Sequence, residues 1–357
     1  MVLILFVDHS IQKIYFINQS DFSTLAPVPR FDQGATMSAM QPPCLANPAA
    51  SHAVIVGGGT MGADVAVVLA RARCRTTVVE PDADRAAALP ARIAANLRAA
   101  GHPEGAGGVS VAAGLDAVDW TQVGLVIECI PERLDLKQAL FADLEQRAPA
   151  QAILASNSSS FPIGDIGAGL ASRARMLGLH FFMPAHLVPL VEVVLCEASD
   201  MACADALIAF MRRCGMVPVK VRKDLPGFLA NRLQHALSRE AFDLIDRGIA
   251  SPEDVDAAVR FGFGFRFLAA GPVMQRDHAG IDVHAAAAAT MYPSFCNSGQ
   301  PARCLAERAA DGRHGMKAGA GFYQWTAESA AAERARYDRL LRAGLALIQD
   351  ELPPIEP

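Results

Sequence analysis

Ala53-Val54-Ile55-Val56-Gly57-Gly58-Gly59-Thr60-Met61-Gly62 is the stretch that decides the fold. Four apolar residues in a row read as a short buried strand, and an apolar-periodic segment, Ala63 to Arg73, follows the glycines. The order is strand, G-x-G-x-x-G, helix. Each glycine has a physical reason. Gly57 permits the tight turn, Gly59 lets the backbone approach a pyrophosphate, and Gly62 lets the helix pack on the strand. The N-terminus of the helix adds free N–H groups and the positive end of its dipole. One such motif is weak by itself. Here a second strand, Arg75 to Val79, ends in Glu80, eighteen residues after Gly62. A carboxylate there accepts hydrogen bonds from a ribose 2′-hydroxyl and repels a 2′-phosphate, so NAD is favoured over NADP as cofactor. Arg85 is the nearest cation for such a phosphate, but it falls inside the following helix.

Moving outward, Val109–Ala112, Leu125–Ile130 and Ala152–Ser156 read as strands and Leu134–Gln146 as a helix. Regular strand and helix alternation predicts a parallel α/β sheet of the Rossmann type, covered on both faces, with ligands at the C-terminal strand ends. Glu132 and Lys137 fall just past one such end, on the nicotinamide side. The alternative for both is a solvated helix start, with Glu132 favouring the dipole. Ser156-Asn157-Ser158-Ser159-Ser160 follows another strand end. It reads as a turn or cap, or as hydroxyls facing a substrate oxygen. No Gly-x-Ser-x-Gly surrounds these serines, which excludes a nucleophile elbow.

Met176 to Glu192, MLGLHFFMPAHLVPLVE, carries the candidate chemistry. One apolar run delivers His180 to a turn at Met183-Pro184, and a second run returns to present Glu192. An imidazole and a carboxylate on neighbouring strand ends suit general-base work, because the carboxylate fixes the tautomer and stabilises the imidazolium. The plain alternative is a core histidine and a surface glutamate. His180, His186 and Glu192 fall at six-residue intervals, which matches no usual zinc spacing, and no metal is expected.

The chain has 357 residues, room for about two domains by the ~100–200 residues a domain takes. A net charge of −5 offers no footprint for nucleic acid or a membrane surface. No apolar run reaches the roughly 18 residues of a membrane span. Eight scattered cysteines without a CxxC pair point to a reducing cytoplasm. Residues 1–50 differ in composition from the remainder and read as a disordered leader or an over-long start, with Met37 and Met40 as later starts and a short strand over 14–17 as the competing idea. Residues 51–222 form the expected NAD-binding domain, closing with a strand over Val217–Val221. Residues 223–350 form an all-α domain after the junction Lys223–Gly227. There, Phe228 to Ile245 marks a long helix stopped by Gly248. Ser251-Pro252-Glu253-Asp254 caps the next, and further helices are expected over Val273–Met291 and Glu328–Asp350.

Seven stretches carry a family resemblance in order: GGGTMG, PERLDLK (131–137), SNSSS, GLHFF-x-P, PLVEVV (189–194), KDLPGFLANR (223–232) and GAGFYQW (319–325). From about Ser51 to Trp325 the chain resembles the 3-hydroxyacyl-CoA dehydrogenase family. The resemblance implies that His180 is the catalytic base and Glu192 its partner. It implies that Ser159 hydrogen-bonds the substrate's 3-oxygen and that Asn231 supports that site. Glu132 and Lys137 become cofactor contacts, and the helical domain becomes the contact of a homodimer. The chain departs from the family pattern at Met183, where asparagine usually follows HFF, which makes the pocket wall more apolar. It departs again in GFGFRFLAAGP (262–272), whose extra residues include Arg266. That form looks closer to relatives acting on small hydroxy-carboxylates such as gulonate, carnitine or pyridine-carboxylates, and Arg266 could bind a free carboxylate. An exposed arginine ending a turn is the alternative.

The first expectation is therefore NAD-dependent oxidation of an (S)-3-hydroxyacyl-CoA. The second is the same chemistry on a small hydroxy-carboxylate. The third is a non-catalytic NAD-binding structural protein.

Overall fold

The computed structural model describes residues 6–8, 13–15, 45 and 47–357. Within the first fifty, Phe6–Asp8 (β1) pairs antiparallel with Lys13–Tyr15 (β2) as a small unit of its own. Leu45, buried in the main core, and the capped turn Pro48–Ala50 belong to the unit that follows, so the disordered reading does not hold for them; the other residues of the expected leader lie outside those described.

The motif strand is His52–Val56 (β3) and the helix after it Thr60–Arg71 (α1). Arg75–Val79 (β4), Ala83–Ala99 (α2) and Val109–Ala112 (β5) follow. Then the chain crosses back through Val123–Glu128 (β6), Leu134–Arg147 (α3), Ile153–Ser156 (β7), Ile163–Ile166 (α4) and Met176–Phe181 (β8). Leu190–Val194 (β9), Met201–Arg213 (α5) and Val217–Val221 (β10) complete one sheet of order β10-β9-β8-β7-β6-β3-β4-β5. Strand order reverses between β3 and β6, and this switch point is where an open α/β sheet forms its ligand crevice.

From β3 to β8 the strands pair parallel as expected, and the run that returns after His180 adds an antiparallel pair. β8 and β9 pair antiparallel, with His180 opposite Glu192, and β10 runs parallel to β9. The cause is the link: residues 182–189 contain no helix, and a parallel return needs a crossover of a dozen or more residues. Alternation along β3 shows how both faces are buried. Ala53 and Ile55 pack with α1, α2 and α5, whereas Val54 and Val56 pack with Phe141 and Leu144 of α3 and Ile163 of α4.

Beyond Gly227 the chain is helical: Ala230–Asp246 (α6), Pro252–Ala258 (α7), Met274–Ala279 (α8), Ile281–Met291 (α9), Arg303–Ala310 (α10) and Ala327–Leu347 (α11). The single helix expected over 273–291 is two, because Gly280 at φ +95° leaves the helical region between them. Ser251 does cap α7, its hydroxyl accepting from the Asp254 amide at 3.1 Å. Among the described residues no helix is long and apolar enough to cross a membrane.

Candidate active site

At the crevice, the glycine turn has the shape of a phosphate cradle. Gly57 sits at φ +106°, and a Cβ there would stand 2.6 Å from the Cys129 carbonyl oxygen. One at Gly62 would stand 1.8 Å from the Gly57 carbonyl. Gly59, directly before Thr60 and Met61, differs: nothing lies within 4 Å of where its Cβ would be, and no side chain caps α1. Open space above uncapped helix N–H groups is what a pyrophosphate requires. Glu80, buried just after β4, accepts from the Gly58 amide (3.1 Å), the Asp82 amide (2.9 Å) and Arg85 Nη2 (3.1 Å). Burial works to raise its carboxyl, but Arg85 and the two amides outweigh that and hold it below the ordinary carboxylate value. Arg85 is thus turned to Glu80. These residues fit NAD.

β8 and β9 bring the histidine and glutamate together. Their ladder puts residues 180 and 192 opposite each other, and His180 Nδ1 lies 2.7 Å from Glu192 Oε2, both side chains buried. The ring is held edge-on by Phe182, with centroids 4.6 Å apart, and by Phe228 at 5.5 Å. The other carboxylate oxygen, Oε1, accepts from the amides of Leu229 (3.0 Å) and Ala230 (2.7 Å) at the start of α6. That helix has no cap of its own, so Glu192 satisfies its orphan donors from across the sheet edge. The core-histidine, surface-glutamate alternative does not describe this pair. On the far side of the ring, Ser159 Oγ lies 3.1 Å from His180 Nε2.

A second network lies beneath the serine loop. Glu132 Oε1 accepts from Ser158 Oγ (2.7 Å) and from the amides of Ser159 (3.1 Å) and Ser160 (2.9 Å). Its Oε2 is 3.1 Å from Lys137 Nζ, which also donates to Glu128 Oε1 at 2.7 Å. Lys137 is 1% exposed, so the solvated helix start does not hold for it. Burial works to raise the Glu132 carboxyl, but Ser158, Lys137 and the Ser160 amide carry it below its usual value. Burial pushes Glu128 up, with Lys137 opposing. Glu128 went unnoticed in the sequence, and Ser156 was read only as part of the hydroxyl cluster. The available signal was a charged residue inside a continuous apolar strand, since such groups are rarely buried unless paired.

Other expected residues lie apart. Asn231 sits half-buried on the first turn of α6, beside the Glu192 contact, and its side chain makes no hydrogen bond to Ser159 or His180. Met183 is 65% exposed just past β8. Arg266 is exposed on the turn Gly264–Leu268, its guanidinium joined to no group among the described residues. His186 faces Asp64 of α1 at 3.5 Å and not Glu192.

Residues 52–225 match the 3-hydroxyacyl-CoA dehydrogenase NAD binding domain, and residues 227–325 match the C-terminal domain of the same family. The chain is 32% identical over 294 residues to 5-formyl-3-hydroxy-2-methylpyridine 4-carboxylate 5-dehydrogenase of Mesorhizobium japonicum, covering 81% of this chain and 95% of that protein. It is 32% identical over 289 residues to the human mitochondrial hydroxyacyl-coenzyme A dehydrogenase, covering 77% and 91%. A crystal structure of the pyridine-carboxylate 5-dehydrogenase, described as an NAD+-dependent dismutase, superposes with a TM-score of 0.79 at 30% identity, covering 84% of this chain and 98% of that one. With both domains matched in order around a built NAD crevice, the chain belongs to the 3-hydroxyacyl-CoA dehydrogenase family of NAD-dependent oxidoreductases.

Proposed function

We propose that the protein oxidises the 3-hydroxyl of an (S)-3-hydroxyacyl-CoA to the ketone, reversibly, with His180 as general base and Glu192 as its partner. The observation that supports this reading is the unbroken line Ser159–His180–Glu192–α6 N-terminus. With Nδ1–H assigned as donor to Glu192, Nε2 carries the lone pair and faces the serine hydroxyl. It takes the substrate O–H proton there. Glu192 then stabilises the imidazolium, and the two α6 amides keep the carboxylate oriented. NAD, when bound, supplies the hydride acceptor. The amide groups around Gly57, Gly59, Thr60, Met61 and Gly62 hold the pyrophosphate, Glu80 the ribose hydroxyls, and Glu132 the nicotinamide end. Ser159 steadies the reacting oxygen, while Met183 and Asn231 bound the substrate space. The apolar faces left open on the helical half support a homodimer, and the protein works in the cytoplasm.

A second reading keeps this site but replaces the thioester with a small free hydroxy-carboxylate. The likeness to the pyridine-carboxylate dehydrogenase favours it, and the unengaged Arg266 is the group to recognise the carboxylate. NADH production from 3-hydroxybutyryl-CoA, beside a panel of hydroxy-carboxylates including pyridine alcohols, separates the two. Turnover of neither class sinks both.

A further inference from the structure

A cavity of about 600 Å³ lies between α6 and the segment that leads into α10, and Gly227 and Asn231 stand at one end of it. Gly227 directly precedes Phe228, whose ring lies against His180 with centroids 5.5 Å apart, so the cavity begins beside the reacting centre. Arg232, His235 and Arg239 of α6 line it, three and four residues apart and therefore on one helix face. No acidic residue shares that lining. The acids of α6 are committed elsewhere. Glu240 accepts from the Cys296 amide at 2.7 Å, and Asp243 pairs with Arg247 at 3.1 Å. Asp246 accepts from the amides of Arg303 (2.7 Å) and Cys304 (2.8 Å). Arg232 donates to the Pro226 carbonyl at 3.3 Å, and the side chains of His235 and Arg239 bond to nothing among the described residues. Arg232 also stands in the first turn of α6, which holds no acid and where the dipole disfavours a cation. Two arginines gathered without a counter-charge are unfavourable for the chain alone, and an anion placed among them relieves that cost.

The spacing says what the anion is attached to. His235 stands one helical turn beyond Asn231 and Arg239 two, about 6 and 12 Å along the axis. Helical side chains lean toward the N-terminus, so the arginine fork reaches back over part of that span. Phe242 and Leu305 give the cavity an apolar lining suited to methylene groups. A group a few carbons past the reacting carbon fits this distance, whereas a coenzyme A phosphate is carried at the far end of the pantetheine arm. We propose that the cavity seats a free carboxylate at the end of the acyl chain, gripped by Arg239 and His235, so that the preferred substrate is an (S)-3-hydroxyacyl-CoA whose chain ends in a carboxylate. The assignment rests on the thioester reading above and adds a substrate class to it. Arg266 lies on a different turn and belongs to the small-acid reading.

The test compares adipyl-CoA with hexanoyl-CoA, thioesters without a hydroxyl that share chain length and phosphates and differ in one terminal carboxylate. Calorimetry on the NAD-loaded protein should show adipyl-CoA binding about 10- to 100-fold tighter, as a hydrogen bond to a charged group implies. Arg239→Gln should erase most of that preference and cost hexanoyl-CoA far less. Arg239→Lys should keep only part of it, since it keeps the charge and loses the fork. In turnover, Arg239→Gln should raise KM for 3-hydroxyadipyl-CoA far more than for 3-hydroxybutyryl-CoA, with kcat nearly unchanged. Equal affinity of the wild type for the two thioesters overturns the inference. A variant that weakens both equally overturns it too, because the cations then serve the phosphates that both carry. Binding of neither thioester sinks the thioester reading itself, and this assignment falls with it.

Discussion

The sheet half and the helical half of the molecule treat their apolar residues in opposite ways. From β3 to β10 the strands and helices bury side chains on both faces, down to complete exclusion of Leu69, Phe141 and Leu207. From α6 to α9 not one residue is fully buried, and Leu233, Leu237, Phe265 and Ile281 stand exposed with Phe261 at 74%. The amphipathic faces of the second half are thus real but uncovered. One half is a finished core, and the other leaves apolar side chains open in the single chain. Glu192 joins them, giving one oxygen to the imidazole of the sheet half and the other to the first amides of the helical half.

The largest expected effect tests whether the chemistry belongs to the sheet half. His180→Gln should lower kcat by about 10³-fold or more while NADH still binds, since the base is lost and the glycine turn is untouched. Loss of NADH binding in a folded variant would count against the assignment. Glu192→Gln should fall between that and wild type. It keeps an acceptor for α6 but loses the charge that stabilises the imidazolium, so the rate should drop about 10- to 100-fold. An unchanged rate would mean that the join is only structural. Next comes packing. Leu207→Ala should destabilise the chain by about 2–5 kcal/mol, whereas Phe261→Ala should change stability by less than about 0.5 kcal/mol in dilute monomer. Phe261→Asp should instead weaken self-association, read by sedimentation. If sedimentation shows a monomer in the wild type already, the uncovered face serves something other than a second copy.

The same contrast explains what could be read from the residues alone. The sheet half was legible because each strand and glycine reports a local requirement. Arg75–Val79, Val109–Ala112 and Val217–Val221 begin and end at the residues expected from the sequence. The antiparallel turn of β9 was half visible, in that the second apolar run plainly returned, but its effect on sheet direction follows from linker length and not from the strand itself. The helical half was legible only as periodicity. The break at Gly280 and the helix Arg303–Ala310 escaped, because helices without a buried face leave no sharp pattern. At the site, the pairing of 180 with 192 depends on register, and register was implied by the spacing across the turn. The roles of Glu128 and Lys137 were not legible, since they arise from three segments meeting in space.

Acid separates the halves more gently. The Glu80 carboxyl lies below its ordinary value in the folded chain, net of a burial effect that works against this. A depressed carboxyl contributes stability that is present above the unfolded value of about 4.3 and is lost as pH falls through the folded value. The sheet half should therefore hold steady from neutral pH to about 5 and weaken below about 4. Glu80→Gln should lower the unfolding free energy at neutral pH by on the order of 1 kcal/mol and flatten the acid slope. An acid slope identical in the variant would remove Glu80 from this account.

The smallest effect is also the one that asks whether the halves unfold separately. α11 is 21 residues long and buries only Ala330, so little packing holds it. Its first turn is closed by a reciprocal cap: Thr326 Oγ1 accepts from the Ser329 amide at 3.1 Å, and Ser329 Oγ accepts from the Thr326 amide at 2.9 Å. Thr326→Ala removes one side of that box and should cost about 1 kcal/mol. In a helix so weakly tied to the sheet, the loss should appear as faster hydrogen exchange confined to the first turns of α11, with the β3 and β6 amides unchanged. If those central strands exchange faster by the same factor, the opening that exposes α11 also opens the sheet. The two halves would then share one cooperative unit despite their unequal burial, and Glu192, anchored to both, would be the first place to look for the coupling.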